Sequence, residues 1–220
     1  MSYDEIKNPG AIANDSFSLI RQELTIAGYN FTSPNADIIE RIIHSTADFD
    51  FAETTEISPT AVAAGTEALN KGCSIVCDVN MIRAGISEPR VTNLGGAIHC
   101  FVAEPDVRQR AEAAGSTRSA MGIRWAAEQG LLEGGIAVVG NAPTALFEAI
   151  RLVGEGVRPA LIIGVPVGFI NTVESKEALT TVTTVPWITT LGRKGGTPVA
   201  VAIVNALLRL AVDAPVTEVD

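Results

Sequence analysis

The chain reads as an α/β domain, a doubly wound parallel sheet with helices on both faces and further helices ahead of it, and three observations predict this. Short β-branched or apolar runs recur at 74–79, 97–102, 136–139, 160–165 and 187–191, four of them followed by helical segments, and that rhythm implies a parallel sheet. Hydrophobic residues make up 47% of the chain and aromatics only 5%, so the core is expected to be Val, Ile, Leu and Ala. No linker or low-complexity stretch divides the 220 residues, which argues for one domain over 1–220.

A first helix is expected from about Pro9 to Ala27, with apolar Ile12, Phe17, Leu19, Ile20 and Leu24, Ser16 on its polar side and Gly28 as its stop. Ser33-Pro34 then predicts a helix start, a capping hydroxyl before Pro at the first helical position. Ile38, Ile39, Ile42 and Ile43 form its core stripe, and His44 falls just off that stripe in the last turn. There the negative end of the helix dipole and the carboxylates of Glu40 and Asp48, one turn either side, favour a charged ring. The following Asp48-Phe49-Asp50-Phe51-Ala52-Glu53 alternates like a strand, and a third helix runs from Ser58-Pro59 to near Gly72. Between the first and second sheet runs, Pro89 and Gly95-Gly96 leave room for only a short helix. Five parallel strands suit the flavodoxin-like order, in which ligands sit beyond the carboxyl ends of the strands.

The unusual residues gather in those carboxyl-end loops, Asp78–Gly85, Gly140–Thr144, Gly164–Lys176 and Gly192–Pro198, which together describe one pocket. Gly192-Arg193-Lys194-Gly195-Gly196-Thr197-Pro198 puts glycines and two cations before a helix, a pattern suited to an anion or simply to a tight connection. In Gly140-Asn141-Ala142-Pro143-Thr144, Asn141 is a candidate cap. Arg118, after Gly115, could meet a carboxylate bidentately, although an exposed helix arginine is the commoner outcome. His99 lies inside a strand run and reads as a hydrogen-bonded core residue.

A formal charge of -9 argues against nucleic acid, because phosphate binding needs a basic surface. No apolar run reaches membrane-spanning length without Gly or charge, and Met1-Ser2-Tyr3-Asp4-Glu5 lacks the features of a secretory signal, so the expectation is a cytoplasmic protein. Cys73, Cys77 and Cys100 sit in apolar runs like reduced core residues. Cys73 and Cys77 would lie about 13 Å apart on a strand, too far to share a metal, and no protein-held metal is expected. There is no Gly-x-Ser-x-Gly elbow, His-Glu-x-x-His pair, Walker loop or dinucleotide fingerprint.

From about Ile12 to Leu208 the chain resembles the precorrin-8X methylmutase family, which includes the cobalt-precorrin-8 methylmutases of cobalamin biosynthesis. The matching segments are Asp15-Ser16-Phe17, Ile43-His44, Cys77-Asp78-Val79-Asn80-Met81 and Thr117-Arg118-Ser119-Ala120. Gly140–Leu146, Pro166–Phe169 with Glu174-Ser175-Lys176, and Gly192–Gly196 complete them. Each is weak alone, while their order and spacing together are specific. The resemblance implies a flavodoxin-like three-layer αβα homodimer that holds a corrin precursor near its interface. It implies migration of a methyl group from C-11 to C-12 of the macrocycle, giving hydrogenobyrinate or cobyrinate, without an organic cofactor. It carries the family's proton donor onto His44 and its pocket residues onto Ser16 and Arg118. Lys176, Arg193 and Lys194 join them for the substrate's carboxylates, on charge and loop position alone. The segment after His44 looks closer to members using the cobalt route, with cobalt arriving inside the substrate. Two other functions compete: a non-catalytic corrinoid carrier, and a phosphate or nucleotide binder built on Gly192–Thr197.

Overall fold

The computed structural model describes residues 9–213 and side chains 12–212, and Met1–Glu5, read above for a leader, lies outside them. Three helices come first, α1 (Pro9–Ile26), α2 (Asn35–Thr46) and α3 (Phe51–Thr54), followed by β1 (Thr55–Ile57) and α4 (Ala61–Asn70). Next come β2 (Ser74–Cys77), α5 (Asn80–Gly85), α6 (Glu88–Asn93), β3 (Ala97–His99), α7 (Pro105–Ala113) and α8 (Arg118–Glu128). The chain closes with β4 (Ile136–Val139), α9 (Pro143–Gly154), β5 (Leu161–Gly164), α10 (Thr172–Thr180), β6 (Trp187–Thr190) and α11 (Thr197–Asp213).

The sheet is six-stranded, in the order β1-β6-β5-β4-β2-β3. The five expected runs pair in parallel, but β1 adds an antiparallel edge, with Thr55 opposite Thr190 and Ile57 opposite Ile188. The expectation of five strands is corrected by this sixth one. The strand-like Asp48–Glu53 pattern belongs instead to a turn and to α3, whose Phe51 and Ala52 are buried, and the strand begins only at Thr55. Three residues carry too little alternation to announce a strand, and tertiary partners decide the pairing. Leu191 N–H donates to Thr54 O at 2.7 Å at one end, and Trp187 N–H donates to Ser58 Oγ at 2.9 Å at the other.

Alternation along the strands divides the core into two layers. Ile75, Cys77, Ile136, Val138, Leu161, Ile163 and Ile188 pack with α2, α4 and α11. Val76, Ala137, Val139, Ile162 and Trp187 pack with α8, α9 and α10. The sheet therefore has helices on both sides, as its nearly unbroken apolar strands require.

Helix α2 buries Ile38, Ile39, Ile42 and Ile43, each at most 3% exposed, as its 3.6-residue spacing predicts. It starts one residue later than expected: Pro34 is the cap residue, and Ser33 Oγ donates to Asp37 Oδ2 at 2.6 Å and not to a helix-end amide. Helix α1 buries only Ile20 and Leu24 of its apolar set, leaving Ile12 and Leu19 exposed, the latter beside His44. The stretch between β2 and β3 holds two short helices, α5 and α6, where one was expected.

Candidate active site

Four loops leave the carboxyl ends of β2, β4, β5 and β6, and hydrogen bonds tie them together in pairs. Asp78, just past β2 and 2% exposed, accepts from three successive amides of the β4–α9 loop. Gly140 N–H reaches Oδ1 at 3.1 Å, while Asn141 and Ala142 N–H reach Oδ2 at 3.0 and 2.8 Å. Burial pushes this carboxyl above the usual carboxylate range, against the pull of the three amides. Asn141, expected as a cap, is exposed and precedes the cap residue Ala142, which makes no side-chain cap bond, and Asp78 orders the loop ahead of the helix.

The β5–α10 and β6–α11 loops are joined by Gly196 N–H donating to Val165 O at 2.7 Å and Gly168 N–H donating to Arg193 O at 3.3 Å. Gly195 makes the approach possible: it has φ +156°, and an added Cβ would lie 2.4 Å from Val165 O. Above this seam Val167, Phe169 and Ile170 stand exposed, with the Arg193 guanidinium 5.4 Å from the Phe169 ring centre. Arg118 opens α8 and is exposed, and the neighbouring Thr117 hydroxyl lies 2.8 Å from that of Thr144 in the first turn of α9. Arg118 is therefore held near the loop that Asp78 organises.

His44 sits in the last turn of α2, exposed, with its ring stacked on Phe17 of α1 at 4.7 Å and 13°. The Arg41 guanidinium lies 4.8 Å from the centre of the same Phe17 ring. A cavity of about 260 Å³ lies beside His44, lined by Ser16, Leu19, Ile20, Glu23, Ala47 and Phe49 among others. The structure thus brings His44 and Ser16 together, and the Ser16 hydroxyl donates to Ile12 O at 2.8 Å, leaving its oxygen available as an acceptor.

The carboxylates expected to flank His44 have other partners. Glu40 is buried and accepts from Arg21 Nε at 2.9 Å on both oxygens. Asp48 and Asp50 each accept from Lys194 Nζ at 2.6 Å, and that bond holds the Asp48 carboxyl below the usual range. The helix ends at Thr46, before Asp48, and its cap residue Ala47 is left-handed at φ 53° and donates its N–H to Ile43 O at 2.7 Å. That conformation costs a non-glycine residue about 1 kcal/mol, so the surrounding contacts must hold it. The carboxylate that lines the His44 cavity is Glu23, which charge spacing within α2 could not reveal.

Two cations expected to face a ligand are turned toward the protein itself. Lys176 is fully buried on α10 and donates to Lys194 O at 2.6 Å and Gly192 O at 3.1 Å, so it fastens the β6–α11 loop from below. Lys194 carries the two aspartates described above. Of the six side chains expected at the pocket, His44 and Ser16 share one cavity, Arg118 is exposed at the start of α8 and Arg193 on the β6–α11 loop, and Lys176 and Lys194 are occupied within the fold. Among the described residues, no group of three or more His, Cys, Asp or Glu could hold a metal ion, and no helix is long and apolar enough to cross a membrane.

Burial also lowers the Lys176 ammonium to about 8, against 10.5 for an ordinary lysine. Between these values the unfolded chain keeps a proton that the folded chain has released, so stability is expected to rise with pH across that interval. Urea unfolding at both ends of the interval checks it, and Lys176→Met should flatten the rise.

The precorrin-8X methylmutase family matches residues 11–210. The chain is 46% identical over 215 residues to the cobalt-precorrin-8 methylmutase of Leptospira interrogans, covering 94% of this chain and 96% of that protein. It is 39% identical over 206 residues to the precorrin-8X methylmutase of Pseudomonas aeruginosa, covering 93% and 97%. The crystal structure of a precorrin-8X methylmutase from Thermus thermophilus is similar with a TM-score of 0.85 and 43% identity, over 92% of this chain and 96% of that one. Coverage this complete on both sides extends the likeness beyond the short loop motifs to every element that positions His44. Sequence and fold agree, and the chain belongs to the precorrin-8X methylmutase family.

Proposed function

We propose that the chain is an isomerase of cobalamin biosynthesis, moving a methyl group from C-11 to C-12 of precorrin-8X or cobalt-precorrin-8 to give hydrogenobyrinate or cobyrinate. The observation that carries the chemistry is the placement of His44, whose ring is steadied by Phe17 at the mouth of a cavity that also holds Ser16. Methyl migration around a conjugated ring needs neither a nucleophile nor a redox centre. It needs the ring made electron-poor at the right moment, which a positioned acid does by lending a proton and recovering it as product forms. His44 is that acid. Ser16, Arg118 and Arg193 meet the macrocycle and its carboxylate arms, and Lys176 holds the loop from which Arg193 projects.

The parallel strands run in the order β3-β2-β4-β5-β6, which supports reading residues 1–220 as one flavodoxin-like domain with an added edge strand and N-terminal helices. A cavity of about 260 Å³ falls below the roughly 300–1,000 Å³ of sites for drug-sized ligands, and a corrin precursor is larger still. This supports a homodimer in which a second copy completes the site. Exposed Leu19 beside His44 and exposed Phe169 and Ile170 on the loops are apolar surface such a partner or the macrocycle would cover. Cobalt, where present, arrives within the substrate, and the cobalt form is the favoured one.

Incubation with precorrin-8X and with cobalt-precorrin-8, each followed by absorption spectrum, tests the assignment. Conversion of either is expected, faster for the cobalt form. Tight binding with no spectral change would make the chain a corrinoid carrier.

A further inference from the structure

We propose that Lys194 is a positioning residue that latches the His44 end of α2 to the edge of the sheet. The consequence for catalysis rests on the reading of His44 as the acid, while the latch itself rests on geometry. The chain leaves His44 through a constrained turn: Ala47 is left-handed, Asp48 N–H donates to Thr46 Oγ1 at 3.3 Å, and Asp50 N–H donates to Asp48 Oδ1 at 3.0 Å. This turn aims two carboxylates at one point, where like charges repel unless a cation lies between them. Lys194 Nζ occupies that point, 2.6 Å from Asp48 Oδ2 and 2.6 Å from Asp50 Oδ2, reaching across from the β6–α11 loop.

Lys194 is itself anchored. Its carbonyl accepts from Lys176 Nζ at 2.6 Å and from Thr190 Oγ1 at 3.1 Å, and both donors belong to buried residues of α10 and β6. The sequence of contacts runs from the buried sheet edge through the Lys194 backbone, its ammonium and the two aspartates to the turn that stops α2 one turn beyond His44. Two of the three ammonium N–H groups are committed to Asp48 and Asp50, so the principal partners of Lys194 are carboxylates of its own chain. Lys194 therefore acts through the position of His44.

The protein has two histidines, so its imidazole proton spectrum is simple. His44 carries the ring-current shift of Phe17, and His99, stacked on Phe101 at 6.0 Å, is an internal control. In Lys194→Met, and in Asp48→Asn/Asp50→Asn, which opens the latch from its other side, the His44 resonance should move while that of His99 stays. Lys194→Arg, which can span both carboxylates, should restore it. Turnover should fall about tenfold or more in the opened variants, because small misplacements of a catalytic group are costly. Product affinity should change less than about twofold, the pattern of an interaction felt only in the transition state. An unmoved His44 resonance in both opened variants would overturn the latch. So would a loss of product affinity in Lys194→Met with kcat intact, since Lys194 would then reach the substrate. Absence of methyl migration in the unmodified protein would count against the proposed function alone, because the spectra of the ligand-free protein decide the latch without substrate.

Discussion

His44→Ala is expected to slow the methyl shift by about 10²- to 10⁴-fold, the usual contribution of a positioned general acid, while corrinoid binding is retained. The separation follows from what the ring touches. His44 is exposed, stacks on Phe17 along one face, and lines its cavity together with Ser16 and Glu23, so its removal leaves the rest of that lining in place. Its loss should also leave the fold intact, because the α2 core stripe of Ile38, Ile39, Ile42 and Ile43 is untouched and surface changes of this kind usually fall within about 0.5 kcal/mol. A rate defect could then not be assigned to unfolding. Single-turnover conversion followed by absorption, beside titration with hydrogenobyrinate, measures the two effects separately. Unchanged turnover would remove His44 from the mechanism, and lost binding with normal conversion at saturation would make it a contact.

Most of what builds this site was legible before the structure, and the remainder was hidden for definite reasons. The aliphatic runs of β2 to β6 announced themselves because both faces of each central strand are buried. The four Ile of α2 fixed its buried face and so placed His44 at that face's margin. Thr55–Ile57 escaped notice because an edge strand of three residues gains its register from β6 and carries almost no local pattern. The flanking charges misled for a related reason. Glu40 and Asp48 are one turn from His44 along the helix, but their partners, Arg21 and Lys194, come from other parts of the chain. Lys176 looked like a loop cation, yet Ser175 and Lys176 fall on the buried side of α10, where only two backbone carbonyls receive the ammonium. A signal was available there, since Leu179 lies one turn further along the same face.

The Asp78 carboxylate should prove the residue whose loss most damages the loops. It stands at the switch point of the sheet, where the chain leaving β2 leads to β3 on one side and the chain leaving β4 leads to β5 on the other. The backbone pairing of β2 with β4 reaches as far as Asp78 N–H, which donates to Val138 O at 3.1 Å, and beyond it the Asp78 side chain bridges the diverging loops by receiving the amides of Gly140, Asn141 and Ala142. Asp78→Ala is expected to destabilise the protein by about 2 kcal/mol or more, because the buried Gly140 donor left without an acceptor costs roughly 1–3 kcal/mol and the part-buried Asn141 and Ala142 donors add to it. Asp78→Asn separates shape from acceptor capacity. Its one oxygen can serve Asn141 and Ala142, but its amide then opposes the Gly140 N–H, so a loss of about 1–3 kcal/mol is expected. Asparagine also imitates the protonated acid that burial favours, and a negligible loss would mean that Asp78 is held neutral and that its charge does not organise the loop. Urea midpoints of the two variants decide between these outcomes. Product affinity should fall with stability in both, since slack in the Gly140 loop passes through the Thr144–Thr117 contact at 2.8 Å to Arg118, and the exposed arginine loses its fixed place beside the pocket.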